Sequence, residues 1–274
     1  MNKLTTEKRV QVIKCLVEGN SIRSTVRITG VAKNTVVKLL IDVGKVCSEY
    51  QNKAFRNLPC KKLQCDEIWS FCYAKQKNVP DEHKDEFGYG DVWTWTAIDA
   101  DTKLIPSFLV GDRTACTAKT FINDLASRLT NRVQLTTDGH KAYLEAVESA
   151  FGADIDYAIL IKIYGSTVEG EKRYSPAKIK EIEKKDITGN PDPDHISTSY
   201  VERQNLTMRM SMRRFTRLTN GFSKKVENHV HAISLHFMYY NFCRIHKTLK
   251  VTPAMEAKVT DRLWDVEDII KLIV

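Results

Sequence analysis

Three carboxylates stand at positions where acidic side chains could perform chemistry. Glu202 lies in the stretch STSYVERQNL, and the chain from there to Lys250 is rich in Lys and Arg, with Glu227 as the one further acid. Asp66 lies in KLQCDEIWSFCYA, which has the composition of a strand, and Asp138 lies in TTDGHKAY, where a strand pattern gives way to a helix pattern. Because hard cations such as Mg²⁺ prefer oxygen ligands, these acids are candidate metal ligands beside a bound polyanion.

Each acid also has a purely structural interpretation. Asp66 could be a surface acid of an edge strand, and Asp138 could cap the helix that follows it. Glu202 could form a salt bridge with Arg203 or with another surface arginine. Glu67 should point to the opposite side of the strand from Asp66, since successive strand residues alternate between faces, and we do not expect it at the same site.

The charge distribution divides the chain into three regions. Residues 1–62 hold 13 Lys and Arg against 4 Asp and Glu, and residues 199–250 hold 10 against 2, so these segments carry +9 and +8. The whole chain carries +8, which leaves −9 for the remainder. Two basic segments around an acidic middle favour a polyanionic partner such as nucleic acid, although solvated charged faces are the alternative.

The composition also argues against several classes of protein. No stretch of about 18 apolar residues occurs, and MNKLTTEKRV lacks the apolar core of a secretory signal, so we expect no membrane segment and a cytoplasmic, nucleoid-associated protein. The seven cysteines are scattered and form no CxxC pair, which favours reduced thiols over a structural zinc site.

The first 49 residues predict three helices. Gly19 should end the first helix, and Gly30 should form the turn between the second and the third. Short helices joined by a glycine turn are typical of a helix-turn-helix, in which the start of the last helix enters the major groove of DNA. A three-helix bundle for packing or dimerisation is the alternative. The candidate DNA-binding residues of this segment are Arg23, Arg27, Lys33, Asn34, Thr35 and Lys38.

The middle of the chain predicts an α/β fold. Three strand patterns, with a turn near Asp99, precede strands that are separated by helix patterns, and a final helix carries Glu202. This order predicts a mixed sheet with helices on its faces, preceded by an all-α helix-turn-helix domain. The expected boundaries are 1–49 for the helix-turn-helix domain, 50–62 for a linker, 63–258 for the α/β domain with an insertion at about 165–197, and 259–274 for a C-terminal helix that packs or dimerises.

Four stretches in this order resemble DDE transposases of the insertion sequence 1 family. They are LQCDEIWSF, TTDGHKAY, SYVERQN followed by RMSMRRFTRLTNGFSKK, and YYNFCRIHKTLKVTPAMEA, and with the N-terminal helices they cover most of residues 4–258. The resemblance implies a ribonuclease H-like domain. It places the catalytic acids at Asp66 in the first strand, at Asp138 after the fourth strand, and at Glu202 on the helix after the last strand.

The resemblance implies a DNA transposase that cuts and joins DNA at the ends of an insertion sequence. Two Mg²⁺ ions, or Mn²⁺ as a substitute, would activate the nucleophile and stabilise the leaving oxygen. Asp66 would bridge both ions, Asp138 would hold one and Glu202 the other. The implied partners are double-stranded DNA of the element ends and of the target, and further copies of the chain. A catalytically inactive DNA-binding regulator derived from a transposase is the alternative, and a nuclease without joining activity is another.

The basic segment around Glu202 could line a path for the DNA, because each Lys or Arg that contacts a phosphate adds to electrostatic binding. The candidate residues for this path are Arg203, Arg209, Arg213, Arg214, Arg217, Lys224 and Lys225.

Overall fold

A computed structural model describes residues 4–165, 179–216 and 220–273. The described strands are β1 (Lys62–Cys72), β2 (Gly90–Asp99), β3 (Phe108–Gly111), β4 (Gln134–Thr137), β5 (Asp156–Tyr164) and β6 (Ile179–Thr188). They form one sheet in the order β3-β2-β1-β4-β5-β6. The first three strands are antiparallel, β4 and β5 run parallel to β1, and β6 is antiparallel to β5. The predicted mixed sheet is therefore confirmed.

Helices flank this sheet on both faces, also as predicted. They are α1 (Thr6–Val17), α2 (Ile22–Thr29), α3 (Lys33–Ala54), α4 (Ala115–Ala126), α5 (Ala142–Phe151), α6 (Ser199–Ser211), α7 (Val226–Phe242), α8 (Pro253–Glu256) and α9 (Val266–Lys271). On one face of β1, Leu63 and Cys65 belong to the core that α4 and α5 complete. On the other face, Ile68 packs in a core with α6 and α7. No helix in the described ranges is long and apolar enough to span a membrane.

The third helix is longer than its sequence pattern indicated. We expected a linker from residue 50, but α3 continues to Ala54. Gln51 is buried there, and its side-chain amide donates to the carbonyl of Ser234 in α7 at 3.2 Å. Phe55 follows the helix and stacks on Phe242 at 5.6 Å between ring centroids. These polar and aromatic contacts with α7 explain why the helix continues into a segment of linker-like composition and why Gln51 and Phe55 are buried there.

The expected insertion at about 165–197 contains a strand that the sequence did not suggest. β6 pairs with β5, yet nearly all of its side chains are exposed. Strands are predicted from an alternation of apolar and polar residues, which arises when one face is buried. Neither face of β6 is buried, and its sequence IKEIEKKDIT shows no such alternation. Residues 166–178 of the expected insertion lie outside the described residues.

The N-terminal helices share a core with the sheet. Val12 of α1 and Leu40 of α3 belong to the same buried cluster as Leu63 of β1 and Phe121 of α4. At the C-terminal end, α9 begins with a capping box at Asp265 and packs against α1. The largest hydrophobic cluster of the described residues therefore includes residues from α1 to α9, while the core beneath α6 and α7 is a separate cluster.

Candidate active site

The register of two parallel strands brings Asp66 and Asp138 together. β1 and β4 pair so that Cys65 lies opposite Thr137, and the next residue on each strand is an aspartate. β4 ends at Thr137, and Asp138 Oδ1 accepts a hydrogen bond from the backbone N–H of His140 at 3.0 Å. Asp138 does not cap α5, because that helix begins at residue 142 and has Lys141 at its N-cap.

The start of α6 is fixed to β1 by hydrogen bonds. Gln64 Oε1 accepts from the backbone N–H groups of Tyr200 and Val201 at 2.8 and 3.2 Å. One turn further along α6, the Asn205 side-chain amide donates to Asp66 Oδ2 at 2.8 Å. Gln64 and Asp66 share one face of β1, since they are two residues apart in a strand. These bonds hold α6, and with it Glu202, over the strand that carries Asp66.

Glu202 lies at the wall of the same cleft but is already paired. Its Oε1 accepts from the Thr198 hydroxyl at 2.6 Å and forms an ion pair with Lys162 of β5. The salt-bridge interpretation of Glu202 is therefore correct in kind, although the partner is Lys162 rather than the Arg203 considered from the sequence. The cleft has a volume of about 610 Å³, and Asp66, Asp138 and Glu202 all line it.

The tightest group of acids in the described chain differs from the predicted one. Asp66, Glu67 and Asp138 each offer a carboxylate oxygen, and these three oxygens lie within 4.8 Å of one another. Glu202 is not part of this group. The expectation that Glu67 lies apart from the site is wrong, and Glu67 is the acidic residue that sequence reasoning missed.

The alternation of the strand was predicted correctly, but it did not exclude Glu67. Asp66 contacts α6, whereas Glu67 accepts a hydrogen bond from Tyr143 of α5 at 3.1 Å, so the two side chains do lie on opposite faces. β4 ends at Thr137, so beyond that residue no strand separates the face of the sheet that carries Asp66 from the face that carries Glu67. The carboxylates of both faces therefore meet around the end of β4.

Glu67 holds an arginine at the cleft. Its side chain is fully buried, and its Oε1 accepts from Arg113 Nε at 2.7 Å. The Arg113 guanidinium also lies over the Trp93 ring at 4.7 Å, and its Nη2 is 4.0 Å from Asp138 Oδ2. Arg113 lines the cleft, so its charge faces the space between the acids. No local sequence pattern marks this contact, because Glu67 and Arg113 are 46 residues apart.

The crowding of acids changes their protonation. Burial, and then the nearby charge of Asp138, raise the pKa of Asp66 to about 7. The pKa of Glu67 is also raised, mainly by burial and by Asp138, although the bond to Arg113 opposes this shift. The pKa of His140 is lowered, first by burial and then by Arg113. The site therefore disfavours additional negative charge in the absence of a cation.

The donor set fits a hard divalent cation. Carboxylate and amide oxygens are the groups that Mg²⁺ and Mn²⁺ prefer, and the cleft contains no thiolate among its lining residues. Asn205 Oδ1 is buried and has no hydrogen-bond partner among the described residues, which leaves an oxygen free for a cation or for its bound water. A cation would also offset the repulsion between Asp66 and Asp138, so these residues suit a metal site.

The predicted DNA-binding residues are distributed over two surfaces. Arg209 lines the cleft of the acids. A separate cleft of about 1010 Å³ is lined by Arg23, Lys33, Asn34, Lys38, Arg213, Arg214, Lys224 and Lys225. Arg27, Thr35 and Arg203 are exposed and line neither of these two clefts. Arg217 lies outside the described residues.

Comparisons with known proteins give a distant likeness to a solved structure. No family model matches the chain, and no curated protein matches it. Among solved structures, the chain is similar to a piggyBac transposase synaptic complex with hairpin DNA determined by cryo-electron microscopy. The sequence identity is 10%, the TM-score is 0.44, and the match covers 100% of this chain and 72% of that chain. At this level of similarity, function has to be inferred from the acids themselves.

Proposed function

We propose that this chain is a DDE-type DNA transposase similar to the insertion sequence 1 family, with Asp66, Asp138 and Glu202 as catalytic and metal-binding residues. The observation that carries the proposal is the juxtaposition of Asp66 and Asp138 on neighbouring parallel strands, in a cleft that Glu202 also lines. The sheet would be a ribonuclease H-like core, and residues 1–49 would be a helix-turn-helix. The substrates would be double-stranded element ends and target DNA, bound by a homo-oligomer in the cytoplasm.

Bound Mg²⁺ or Mn²⁺ would stabilise the charge that develops on a phosphodiester and would lower the pKa of the attacking hydroxyl group. The chain's own residues would do the positioning. Asn205 orients the Asp66 carboxylate, and Thr198 with Lys162 holds Glu202 at the cleft wall. Arg113, fixed by Glu67, presents a guanidinium to the cleft, where it could bind a phosphate oxygen. Sequence reasoning did not include Arg113.

One observation favours the alternative function, a DNA-binding regulator without catalysis. Glu202 is engaged by Lys162 and lies outside the tight group of three acids. If that ion pair persists when DNA and metal are bound, Glu202 would be a structural acid and the proposed triad of Asp66, Asp138 and Glu202 would lack its third member. The two functions differ in whether loss of the Glu202 carboxylate changes cleavage.

A cleavage and joining assay separates these functions. DNA carrying the flanks of the element would be incubated with Mg²⁺ or Mn²⁺ and with the wild type, Glu202→Ala or Glu145→Ala, the last being an exposed acid of α5. We expect nicked and joined products from the wild type and from Glu145→Ala, and at least about 100-fold less from Glu202→Ala, a loss larger than that of an outer-shell residue. Binding without cleavage by the wild type would favour the regulator. Equal cleavage by all three proteins would exclude the role proposed for Glu202.

Metal binding can be measured without activity. Titration of Mn²⁺ into the wild type should give saturable heat and raise the melting temperature, because a ligand that binds only the folded state stabilises it. Asp138→Asn should abolish both effects, whereas Glu145→Ala should retain them. Identical titrations of the wild type and Asp138→Asn would contradict the proposed metal site.

A further inference from the structure

The second cleft lies between the N-terminal helices and the segment after α6. One side is formed by α2 and the start of α3, including Arg23, Lys33 and Lys38. The opposite side includes Arg214, Lys224 and other cations of the later basic segment. No Asp or Glu is among the described residues that line it, and it shares no lining residue with the catalytic cleft. The fold thus joins the two basic segments of the sequence into one positively charged cleft.

The start of α3 adds backbone charge to this cleft. α3 has 22 residues and begins at Lys33, and its N-cap residue, Ala32, makes no side-chain capping bond. The first N–H groups of a helix lack intrahelical partners, and the helix dipole places about half a positive charge at that end. Lys33 and Asn34 of this first turn line the cleft. The α3 terminus is therefore suited to an anion, provided that other features of the cleft also point to one.

Two side chains of the opposite wall supply such independent features. Arg214 donates to Ser223 Oγ at 2.6 Å, and it forms no ion pair with a carboxylate within the described ranges. Burial lowers the pKa of this guanidinium to about 10, as expected for a cation that has lost water without gaining a counter-ion. His236 is 4% exposed, and both of its ring nitrogens are without a hydrogen-bond partner in the described chain. A bound anion could accept hydrogen bonds from the Arg214 guanidinium and from the one ring N–H of the neutral His236.

We propose that this cleft binds the phosphodiester backbone of a nucleic acid, and that both of its walls contact the same backbone. The choice of DNA over another phosphate ester rests on the proposed function, whereas the anionic character of the ligand rests on the cleft alone. Repeated phosphates match a cleft with cations on both walls, since each neutralised phosphate releases counter-ions and adds to affinity. Val37, Ile41 and Leu235 give the cleft an apolar surface for the sugar rings.

The position of the cleft connects it to the acids. Arg209 of α6 lines the catalytic cleft, and Ser211, two residues later, lines the basic cleft. A backbone held in the basic cleft would thus pass the end of α6 toward Asp66 and Asp138. The start of α3 would then contact phosphates, so binding at this cleft should depend little on base sequence, in contrast to the base reading expected of a helix-turn-helix.

The test is a binding experiment on the full-length protein in EDTA, which separates binding from cleavage. Fluorescent single-stranded and duplex oligonucleotides of two unrelated sequences would be titrated with the wild type, Lys33→Gln, Lys225→Gln and the double variant. The controls are Lys53→Gln and Lys119→Gln, which remove exposed cations outside both clefts. Inorganic phosphate would be the competitor, compared with chloride at equal ionic strength.

We expect each cleft variant to weaken binding about 3- to 10-fold at ~0.1 M salt, and to reduce the slope of log affinity against log salt by about 0.7–0.9. The double variant should lose the product of the two factors, both sequences should behave alike, and the controls should match the wild type. Single-stranded and duplex arms identify which form of the backbone the cleft holds.

Three results would overturn the proposal. In the first, the cleft variants show the same dependence of affinity on salt as the wild type. In the second, only one of Lys33→Gln and Lys225→Gln weakens binding. In the third, low-millimolar phosphate displaces the oligonucleotide and chloride does not, which would indicate a site for a free anion. A separate cleavage assay with Mg²⁺ keeps the two proposals distinct. No cleavage by the wild type together with cleft-dependent binding would refute the transposase and keep the cleft. Cleavage with wild-type KM by the double variant would refute the cleft and keep the transposase.

Discussion

Asp66 shows at the scale of one residue how a carboxyl group of the proposed metal site can lower the stability of the folded protein. Its pKa is raised to about 7 because burial and Asp138 both disfavour its charge. An acid with a higher pKa in the folded state than in the unfolded state binds more protons when folded, so stability falls as pH rises from about 4 to about 7. The lower stability of the folded protein then persists at higher pH. The apo protein should therefore be more stable when this carboxyl group is neutral.

We predict that Asp66→Asn raises the free energy of unfolding in EDTA by about 1–3 kcal/mol at pH 8 and by much less at pH 4. Asparagine keeps the shape of the side chain and its capacity to bond Asn205, but it removes the charge. Urea unfolding at the two pH values measures the difference, and Glu145→Gln on the exposed face of α5 is the control. An equal gain at both pH values would show that the effect is unrelated to ionisation.

Arg113 and Glu67 form a pair whose energetics should differ from those of surface ion pairs. Removing one partner of a buried pair leaves an uncompensated charge, and this costs about 3–5 kcal/mol in well-studied cases. Since the Arg113 side chain is 40% exposed, we predict a smaller loss, about 2–3 kcal/mol for Arg113→Met at pH 8. The pair of Asp268 with Arg262, whose side chain is 55% exposed, provides the contrast, because Arg262→Met should cost less than about 1 kcal/mol.

The double variant Arg113→Met with Glu67→Gln should recover part of that loss, because the buried charge is then removed together with its partner. Denaturant unfolding of the single and double variants gives the coupling between the two residues. A double variant that loses the sum of the two single losses would mean that the pair is energetically independent. Glu67 would then be no positioning residue for Arg113.

Sequence reasoning could find some members of the site and not others, for a physical reason. Asp66 and Asp138 could be predicted because the resemblance implied both, and Asp138 also stands at a recognisable strand-to-helix junction. Glu67 was dismissed because alternation describes the face of a strand, but not where the neighbouring strand stops. Arg113 was invisible, since its role depends on a contact across 46 residues. Local patterns therefore give the residue types, and the register and strand ends decide which of them meet.

At the scale of elements, the contact between α3 and α7 depends on one glycine. A Cβ atom added at Gly44 would lie 2.5 Å from the Cβ and the carbonyl oxygen of His231, well inside van der Waals contact. Gly44 has ordinary helical geometry, so in isolation alanine would favour the helix by up to about 1 kcal/mol. The close approach of the α3 and α7 backbones therefore explains why Gly44 is present, although glycine lowers the helix propensity of α3.

We predict that Gly44→Ala destabilises the protein by about 1–3 kcal/mol, because overpacking between two rigid helices outweighs the gain in helix propensity. Ser48→Ala, at an exposed position of the same helix, should be neutral or slightly stabilising. Thermal and urea unfolding of both variants measure the contrast. If both substitutions stabilise the protein equally, α3 and α7 do not approach as closely as the structure indicates.

The elements differ in how far the sequence predicted them. Helices α1 and α4 were expected from apolar residues at helical spacing, which in α1 are Val10, Ile13, Leu16 and Val17, and in α4 include Phe121 and Ile122. The end of α3 was missed because polar Gln51 is buried by hydrogen bonds rather than by hydrophobicity. β6 was missed because it buries neither face. A pattern of apolar residues reports burial, so it fails where an element is held by polar contacts or by backbone pairing alone.

At the scale of the whole molecule, the shared core predicts cooperative behaviour. The N-terminal helices and the sheet belong to one buried cluster, and Tyr50 of α3 packs against Phe242 and Trp264 near the C-terminal end. Separate domains usually meet through smaller and more polar interfaces. The helix-turn-helix over 1–49 and the linker over 50–62 stay predictions from the sequence, and buried residues of both segments belong to the same cluster as the sheet.

We predict a single unfolding transition for the full chain in calorimetry, with calorimetric and van't Hoff enthalpies that agree. Far-ultraviolet circular dichroism, which is dominated by the helices, and tryptophan fluorescence from the sheet should give the same midpoint. Trp264 contributes to the fluorescence, so Trp264→Phe is the control that restricts the signal to the sheet tryptophans. Two separated transitions would mean that the N-terminal helices unfold independently of the sheet.

The hydrogen bonds from Gln64 to the start of α6 have a consequence for how the site responds to its surroundings. The tie between β1 and α6 is made by an uncharged amide, so dissolved ions do not screen it in the way that they screen the basic cleft. Under the proposed function, salt should therefore lower the affinity for DNA while leaving the tie between β1 and α6 intact. In kinetic terms, a rising salt concentration would raise KM for the proposed DNA substrate, and kcat would stay constant.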